Sequence, residues 1–300
     1  MALWGILRPL LAILAVDQAL GFDSSRRLLP PPSARGLTHT KMAASRGASV
    51  GFKAVLFDID GTLADSFNLG FSATNIVLKE AGVREITEAE YHVNCIYPTP
   101  ERLARHVINS APFLAAEIPV GSQEFLRVGT ELGRKFDDLY IGLVDTKTAG
   151  FYPGIKPLLE ELHGRGLKIG ALTNAAVAYA EAVLKANGVR NLFLTVHGAD
   201  DVPKPKPFAD GLLVCCGDLG LSPGDCVYVG DAPSDGKAAR ATAEKTEDGR
   251  GMLGVGVSYG SHPEENLVPV FDSVTGSVEG LIKALGKILS EEKTQAGVAS

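Results

Sequence analysis

The chain has 300 residues, 45% hydrophobic and 21% charged, with a formal net charge of −6. That length and balance suit one sizeable α/β domain, or such a domain carrying a smaller insertion. The acidic balance and the lack of a basic stripe exclude general affinity for nucleic acid.

In chain order, the first predicted element is a leader. "MALWGILRPLLAILAVDQALGF" sets Arg8 ahead of a short apolar run, Leu10 to Val16, with Gly21 close behind, the pattern of a secretory signal. Arg8 and Asp17 interrupt the run, so it is too short to span a bilayer, and no stable membrane association is expected. The following stretch is rich in Arg, Ser, Pro and Ala, holds Asp23 as its one acid and opens on Phe22. It resembles the second half of a bipartite presequence for secondary plastids. Residues 1–50 are therefore expected to be a targeting presequence and the destination a plastid. A start at Met42 would leave the protein cytoplasmic.

From Lys53 onward, short apolar runs alternate with helical patterns. "KAVLF", "LKIGAL", "LFLTV", "CVYV" and "MLGVGV" read as buried strands, and amphipathic helices fall between most of them. Such repeats predict a mostly parallel sheet with helices on both faces. Ligands on such sheets sit at the carboxyl ends of the strands. Residues 67–150 contain no strand pattern and are too long for a loop. Phe67, Phe71, Thr74 and Leu78 share one helical face, and Phe125, Val128, Leu132, Phe136 and Leu139 another. The expected organisation is a core of residues 51–66 and 151–290, an all-α cap at 67–150 hinged near Ser66 and Tyr152, and a frayed tail at 291–300. The cysteines Cys95, Cys215, Cys216 and Cys226 lack zinc-site spacing and read as small apolar residues.

Four polar motifs fall at predicted strand ends. "FDIDGT" places Asp58 and Asp60 two residues apart, so both carboxylates project to one side. Two acids there suit Mg²⁺, while an Asp-Gly turn is the plainer reading. "GALTN" offers Thr173 and Asn174 as a phosphate cradle or as a helix cap. "PKPKP" fixes Lys204 and Lys206 between prolines, where an ammonium can neutralise a phosphate or simply face solvent. "GDAPSD" sets Asp231 four residues before Asp235, within reach across one helical turn.

In this order the motifs resemble those of the haloacid dehalogenase superfamily, D-x-D-G-T, Thr, Lys and G-D-x-x-x-D. The match to the phosphoglycolate-phosphatase-like group rests on "FDIDGTLADS", "FYPGIKPLLEELHGRGLKIGALTN" and "VYVGDAPSDGKAARA". The resemblance implies a Rossmann-like core and a Mg²⁺-dependent phosphatase acting on a small phosphorylated metabolite. By position it implies Asp58 as nucleophile and Asp60 as general acid and base. It implies metal ligation by Asp58, the Asp60 backbone carbonyl, Asp231 and Asp235, and phosphate binding by Thr173, Asn174 and Lys204. Lys204 is taken over Lys206 because it opens a Lys-Pro-x-Pro that Pro207 closes.

The expected substrate is 2-phosphoglycolate. Alternatives are a sugar phosphate or bisphosphate, a sugar phosphomutase reaction, or a catalytically silent binding protein on the same fold. Arg102, Arg105 and His106 are the cap residues placed to touch a leaving group, although each also suits an ordinary helix face. "NCIYPTPERLARH" departs from the glycine-centred specificity loop of the group.

Overall fold

The computed structural model describes residues 51–95, 97–111 and 117–290. The expected presequence and tail lie outside these residues. The sheet has six parallel strands in the order β3-β2-β1-β4-β5-β6. They are β1 (Ala54–Phe57), β2 (Lys168–Leu172), β3 (Phe193–His197), β4 (Cys226–Gly230), β5 (Leu253–Val257) and β6 (Ser273–Thr275). Five match the apolar runs of the sequence. The sixth, three residues long and open to solvent on an edge, is too short and too polar to produce a periodic signal.

Every residue of β1 is fully buried, as expected for a central strand covered on both faces. Its last residue, Phe57, stands level with Ala171 of β2 and Val229 of β4. The chain winds outward from β1 in both directions, so the crevice at the strand ends opens between β1 and its neighbours. Asp58 follows β1, Thr173 follows β2 and Asp231 follows β4, and the parallel register brings all three to the same edge.

Among the described residues, four helices lie between the end of β1 and the return of the chain to the core at Phe151: α1 (Phe67–Glu80), α2 (Glu88–Asn94), α3 (Thr99–Ser110) and α4 (Gln123–Gly142). No strand interrupts them among the described residues, in agreement with an inserted helical cap. On α4 the buried stripe runs Phe125, Val128, Leu132, Phe136 and then Tyr140, one residue beyond the predicted Leu139. The core continues with α5 (Ile155–Gly164), α6 (Val177–Ala186), α7 (Asp210–Leu219), α8 (Pro233–Ala241), α9 (Glu264–Leu267) and α10 (Val278–Ile288).

The chain leaves the core and returns to it side by side. Asp65 N–H donates to Gly150 O at 2.9 Å, and Tyr152 N–H donates to Leu63 O at 3.0 Å. Cys215, Cys216 and Cys226 are buried in an apolar cluster with Leu212, Leu219 and Met252, as small core residues should be. No helix of the described residues is long and apolar enough to cross a membrane.

Candidate active site

The site begins where β1 runs out. Asp58 N–H donates to Val229 O at 2.9 Å, which holds the first turn beyond the sheet in line with β4. Gly61 then reverses the chain with a left-handed φ of 72°. A methyl group on it would stand 2.1 Å from Asp231 Oδ2. Glycine is required there twice over, by conformation and by the carboxylate packed against it.

Asp58, Asp231 and Asp235 converge, with one carboxylate oxygen from each within 4.8 Å of the others, and all three are buried. Asp231 sits between β4 and α8, where it accepts from Ser261 N–H at 2.6 Å. Asp235 lies in the first turn of α8 and accepts from Ala232 N–H at 3.0 Å. It therefore caps its own helix while its other oxygen faces the cluster. Burial, opposed by Lys206 and reinforced by the other aspartates, raises the Asp58 carboxyl well above its ordinary range. Burial and the Asp235 charge push Asp231 up to about 7. Carboxylates crowded and desolvated in this way suit a bound divalent cation, and the all-oxygen donor set suits Mg²⁺. The Asp60 carboxylate stands outside this group, so only its backbone carbonyl is left for the ligand role the resemblance implies.

Lys206 enters the same cluster. Its Nζ lies 2.8 Å from Asp58 Oδ1 and 2.7 Å from Asp235 Oδ1, with Tyr228 Oη at 3.2 Å and Leu172 O at 3.3 Å. Burial alone would lower this ammonium, but the Asp235 and Asp58 charges overcome that and hold it raised. The choice of Lys204 is thereby corrected. Lys204 is exposed and packs over the Phe208 ring at 5.0 Å, on the outside of the loop.

The reason lies in Asn174. Its side chain accepts from Lys206 N–H at 3.0 Å and donates to Lys206 O at 3.1 Å. This pair of bonds pins the Lys206 backbone beside the end of β2 and aims the side chain inward. The Lys-Pro-x-Pro pattern fits Lys204, yet the anchored lysine is the one nearer to α7. Asn174 also lines the cavity, and its amide positions Lys206 there through these two bonds. Thr173 stands at the predicted place. Its hydroxyl accepts from Ala175 N–H at 3.0 Å and lies 3.5 Å from Asp60 Oδ2.

Asp60 is gripped by hydroxyls that the sequence reading did not connect to it. Ser66 Oγ and Tyr179 Oη each donate to Asp60 Oδ1 at 2.5 Å, and Tyr140 Oη donates to the same oxygen at 3.3 Å. Ser66 and Tyr140 belong to the crossing and to the inserted helices, Tyr179 to the core. A tyrosine within a helix looks like any other apolar position, so the local sequence carries no signal that joins Tyr140 or Tyr179 to Asp60.

These groups line a cavity of about 420 Å³, whose other walls include Arg102, Phe136, Tyr152 and His262. Of the three cap candidates, only Arg102 lines it. Arg105 is paired with Glu101 at 2.7 Å and stacks over Tyr97 at 3.8 Å. His106 is inside the helical insertion, 3.2 Å from Asn94 Nδ2. Burial and the neighbouring Arg102 pull it down to about 4, so it is neutral near pH 7.

Such a sheet, with acids and one lysine gathered at its carboxyl edge, defines a hydrolase built on an α/β core. The chain belongs to the haloacid dehalogenase-like hydrolase family, whose pattern matches residues 55–246. Over 254 residues it is 28% identical to the phosphoglycolate phosphatase of Escherichia coli strain K12, across 80% of this chain and 95% of that one. The Salmonella typhi enzyme of the same name is 28% identical over 247 residues, across 78% and 92%. A crystal structure of a predicted phosphoglycolate phosphatase from Haemophilus somnus superposes with a TM-score of 0.62 at 24% identity, covering 79% of this chain and 99% of that one. The β-phosphoglucomutase of Clostridium difficile does so with a TM-score of 0.61 at 20% identity, covering 81% and 99%. These last two likenesses show the fold.

Proposed function

We propose that the chain hydrolyses 2-phosphoglycolate to glycolate and phosphate through a covalent aspartyl-phosphate. It is a phosphoric monoester hydrolase, and the observation that carries the reading is the Asp58–Lys206 pair at 2.8 Å with Asp60 two residues away. An Asp58 oxygen attacks phosphorus while the ester P–O bond breaks, and Asp60 gives its proton to the departing alkoxide oxygen. Asp60 then takes a proton from water, whose oxygen attacks the aspartyl-phosphate and releases phosphate, restoring Asp58. Lys206 neutralises charge beside the nucleophile throughout, and Thr173 lies where its hydroxyl can contact the phosphoryl oxygens. Bound at Asp58, Asp231 and Asp235, Mg²⁺ would supply further neutralisation of phosphoryl charge.

The curated relatives named for phosphoglycolate support that substrate over the others. A sugar phosphate or bisphosphate is the second reading, favoured by a cavity of about 420 Å³, roomy for a two-carbon leaving group. A panel of small phosphate esters with Mg²⁺ tests both. The expectation is highest kcat/KM on 2-phosphoglycolate and a loss of more than about 10³-fold on Asp58→Asn. Tenfold preference for a sugar phosphate, about 1.4 kcal/mol in the transition state, would replace the first reading with the second.

The leader composition supports delivery to a plastid. Residues 1–50 fused to a fluorescent reporter test this, and a cytosolic signal would favour translation from Met42.

A further inference from the structure

Arg102 is a cavity-lining cation that the reaction above leaves unused. It lies on α3 with 6% of its surface exposed. Its guanidinium carbon is 5.0 Å from the centre of the Tyr91 ring and 4.8 Å from that of Phe136. Its Nη1 donates to Thr74 Oγ1 at 3.3 Å, and the Tyr91 hydroxyl is also close. Among the described residues no aspartate or glutamate forms an ion pair with it; Asp137 of α4 feels its charge at longer range only.

This is an expensive arrangement if nothing else binds there. A guanidinium carries five N–H donors and stays charged in proteins, so burial without an anion leaves desolvation uncompensated. The ring contacts offset part of that cost and fix the plane of the fork. A fixed planar fork with spare donors is the usual receptor for a carboxylate or phosphate.

Its position indicates which end of the substrate it would meet. The Phe136 ring beneath Arg102 packs on Tyr140 at 4.6 Å, and the Tyr140 hydroxyl reaches Asp60. Asp60 serves the leaving oxygen, so Arg102 belongs to the leaving-group side of the cavity. We infer that Arg102 binds a second anionic group, carboxylate or phosphate, carried by the leaving portion of the substrate. This rests on the phosphomonoester reading and narrows it to dianion-plus-anion substrates. A neutral alcohol phosphate lacks the group that Arg102 needs.

The test compares wild type with R102Q on 2-phosphoglycolate, on a sugar bisphosphate and on ethylene glycol monophosphate. On the preferred anionic ester kcat/KM should fall about 100-fold, mainly through KM, and on the neutral ester less than threefold. Whichever anionic ester shows the loss identifies carboxylate or phosphate as the recognised group. Thermal unfolding of R102Q should occur at or above the wild-type temperature, since an unpaired buried charge has been removed. The same three ligands are titrated calorimetrically into the Asp58→Asn protein with and without R102Q, so that binding is read without turnover. Equal weakening of neutral and anionic ligands, or no weakening of any, overturns the proposal. If wild type turns over none of the esters while anion binding still depends on Arg102, the phosphatase reading fails and this one stands.

Discussion

Tyr140 and Tyr179 stack with ring centres 4.0 Å apart, and both donate to one oxygen of Asp60. The first comes from the inserted helices and the second from the core, so the acid is held from both sides of the cavity. Neither hydroxyl is needed to build the rings' packing. Tyr179→Phe should therefore keep the fold and lower kcat by about tenfold, with KM within about twofold. Tyr140→Phe, whose bond is longer, should cost less. The double variant should lose more than the product of the two, because both phenols share one acceptor. Steady-state kinetics on all three proteins check this, and a pure KM effect would show that the tyrosines act on substrate instead of on Asp60.

The two lysines of "PKPKP" give a direct contrast. Lys206→Met leaves Asp58 and Asp235 buried without their cation, and should cost about 3–5 kcal/mol of stability unless Mg²⁺ is supplied. Activity should fall by more than about 10²-fold even when Mg²⁺ restores the fold. Lys204→Met removes an exposed side chain and should change both quantities little. Urea unfolding with and without Mg²⁺, together with the ester assay, separates the two. Equal effects would return Lys204 to the site.

Gly61→Ala should be more damaging than its conformation alone predicts. Gly121 also has a left-handed φ, 82°, but nothing stands within 4 Å of a methyl group there. Alanine at Gly121 should cost about 1–2 kcal/mol of stability and no activity. At Gly61 the methyl would displace the Asp231 carboxylate. Mg²⁺ affinity, measured by titration calorimetry, should drop together with turnover.

Asp137 of α4 lines a smaller cavity with Asp200 of the core. Burial and the Asp200 charge push it up to about 6, with Arg102 opposing. Its folded value thus exceeds the unfolded value near 3.9, so the folded protein binds the extra proton and stability declines as pH rises from about 4 to 6. Asp137→Asn should leave stability unchanged near pH 4 and raise it by about 1–2 kcal/mol at pH 7.5, after allowance for partial exposure. Thermal unfolding across that range is the measurement. A gain that is equal at both ends would point to packing rather than charge.

What was legible in the sequence follows from how each signal is encoded. Buried parallel strands write themselves as apolar runs, so five of six strands and their common ligand edge could be placed from the pattern along the chain. Asp58, Asp60, Asp231 and Asp235 were legible because their motifs recur in a fixed order at successive strand ends, although each alone also suits a turn or a helix cap. Lys206 was not, because two lysines share one proline pattern and only the bonds from Asn174 tell them apart. Tyr140, Tyr179 and Ser261 were out of reach for a related reason. Each meets its aspartate only after distant segments fold together, 80, 119 and 30 residues away along the chain. Arg102 could be named but not ranked, since a cation's lack of a counter-ion is a property of its surroundings.

The paired crossings at Leu63–Asp65 and Gly150–Tyr152 have a further consequence. Because Leu63 and Tyr152 are hydrogen-bonded neighbours, the 88 residues numbered between them begin and end at a single point of the core. No distance has to be bridged, and no strand of the sheet depends on what is threaded there. The helical insertion is in this sense an exchangeable cassette. A different set of helices whose ends meet could be spliced into the same junction, giving the Asp58 centre a new vestibule while its own scaffold stays as it is.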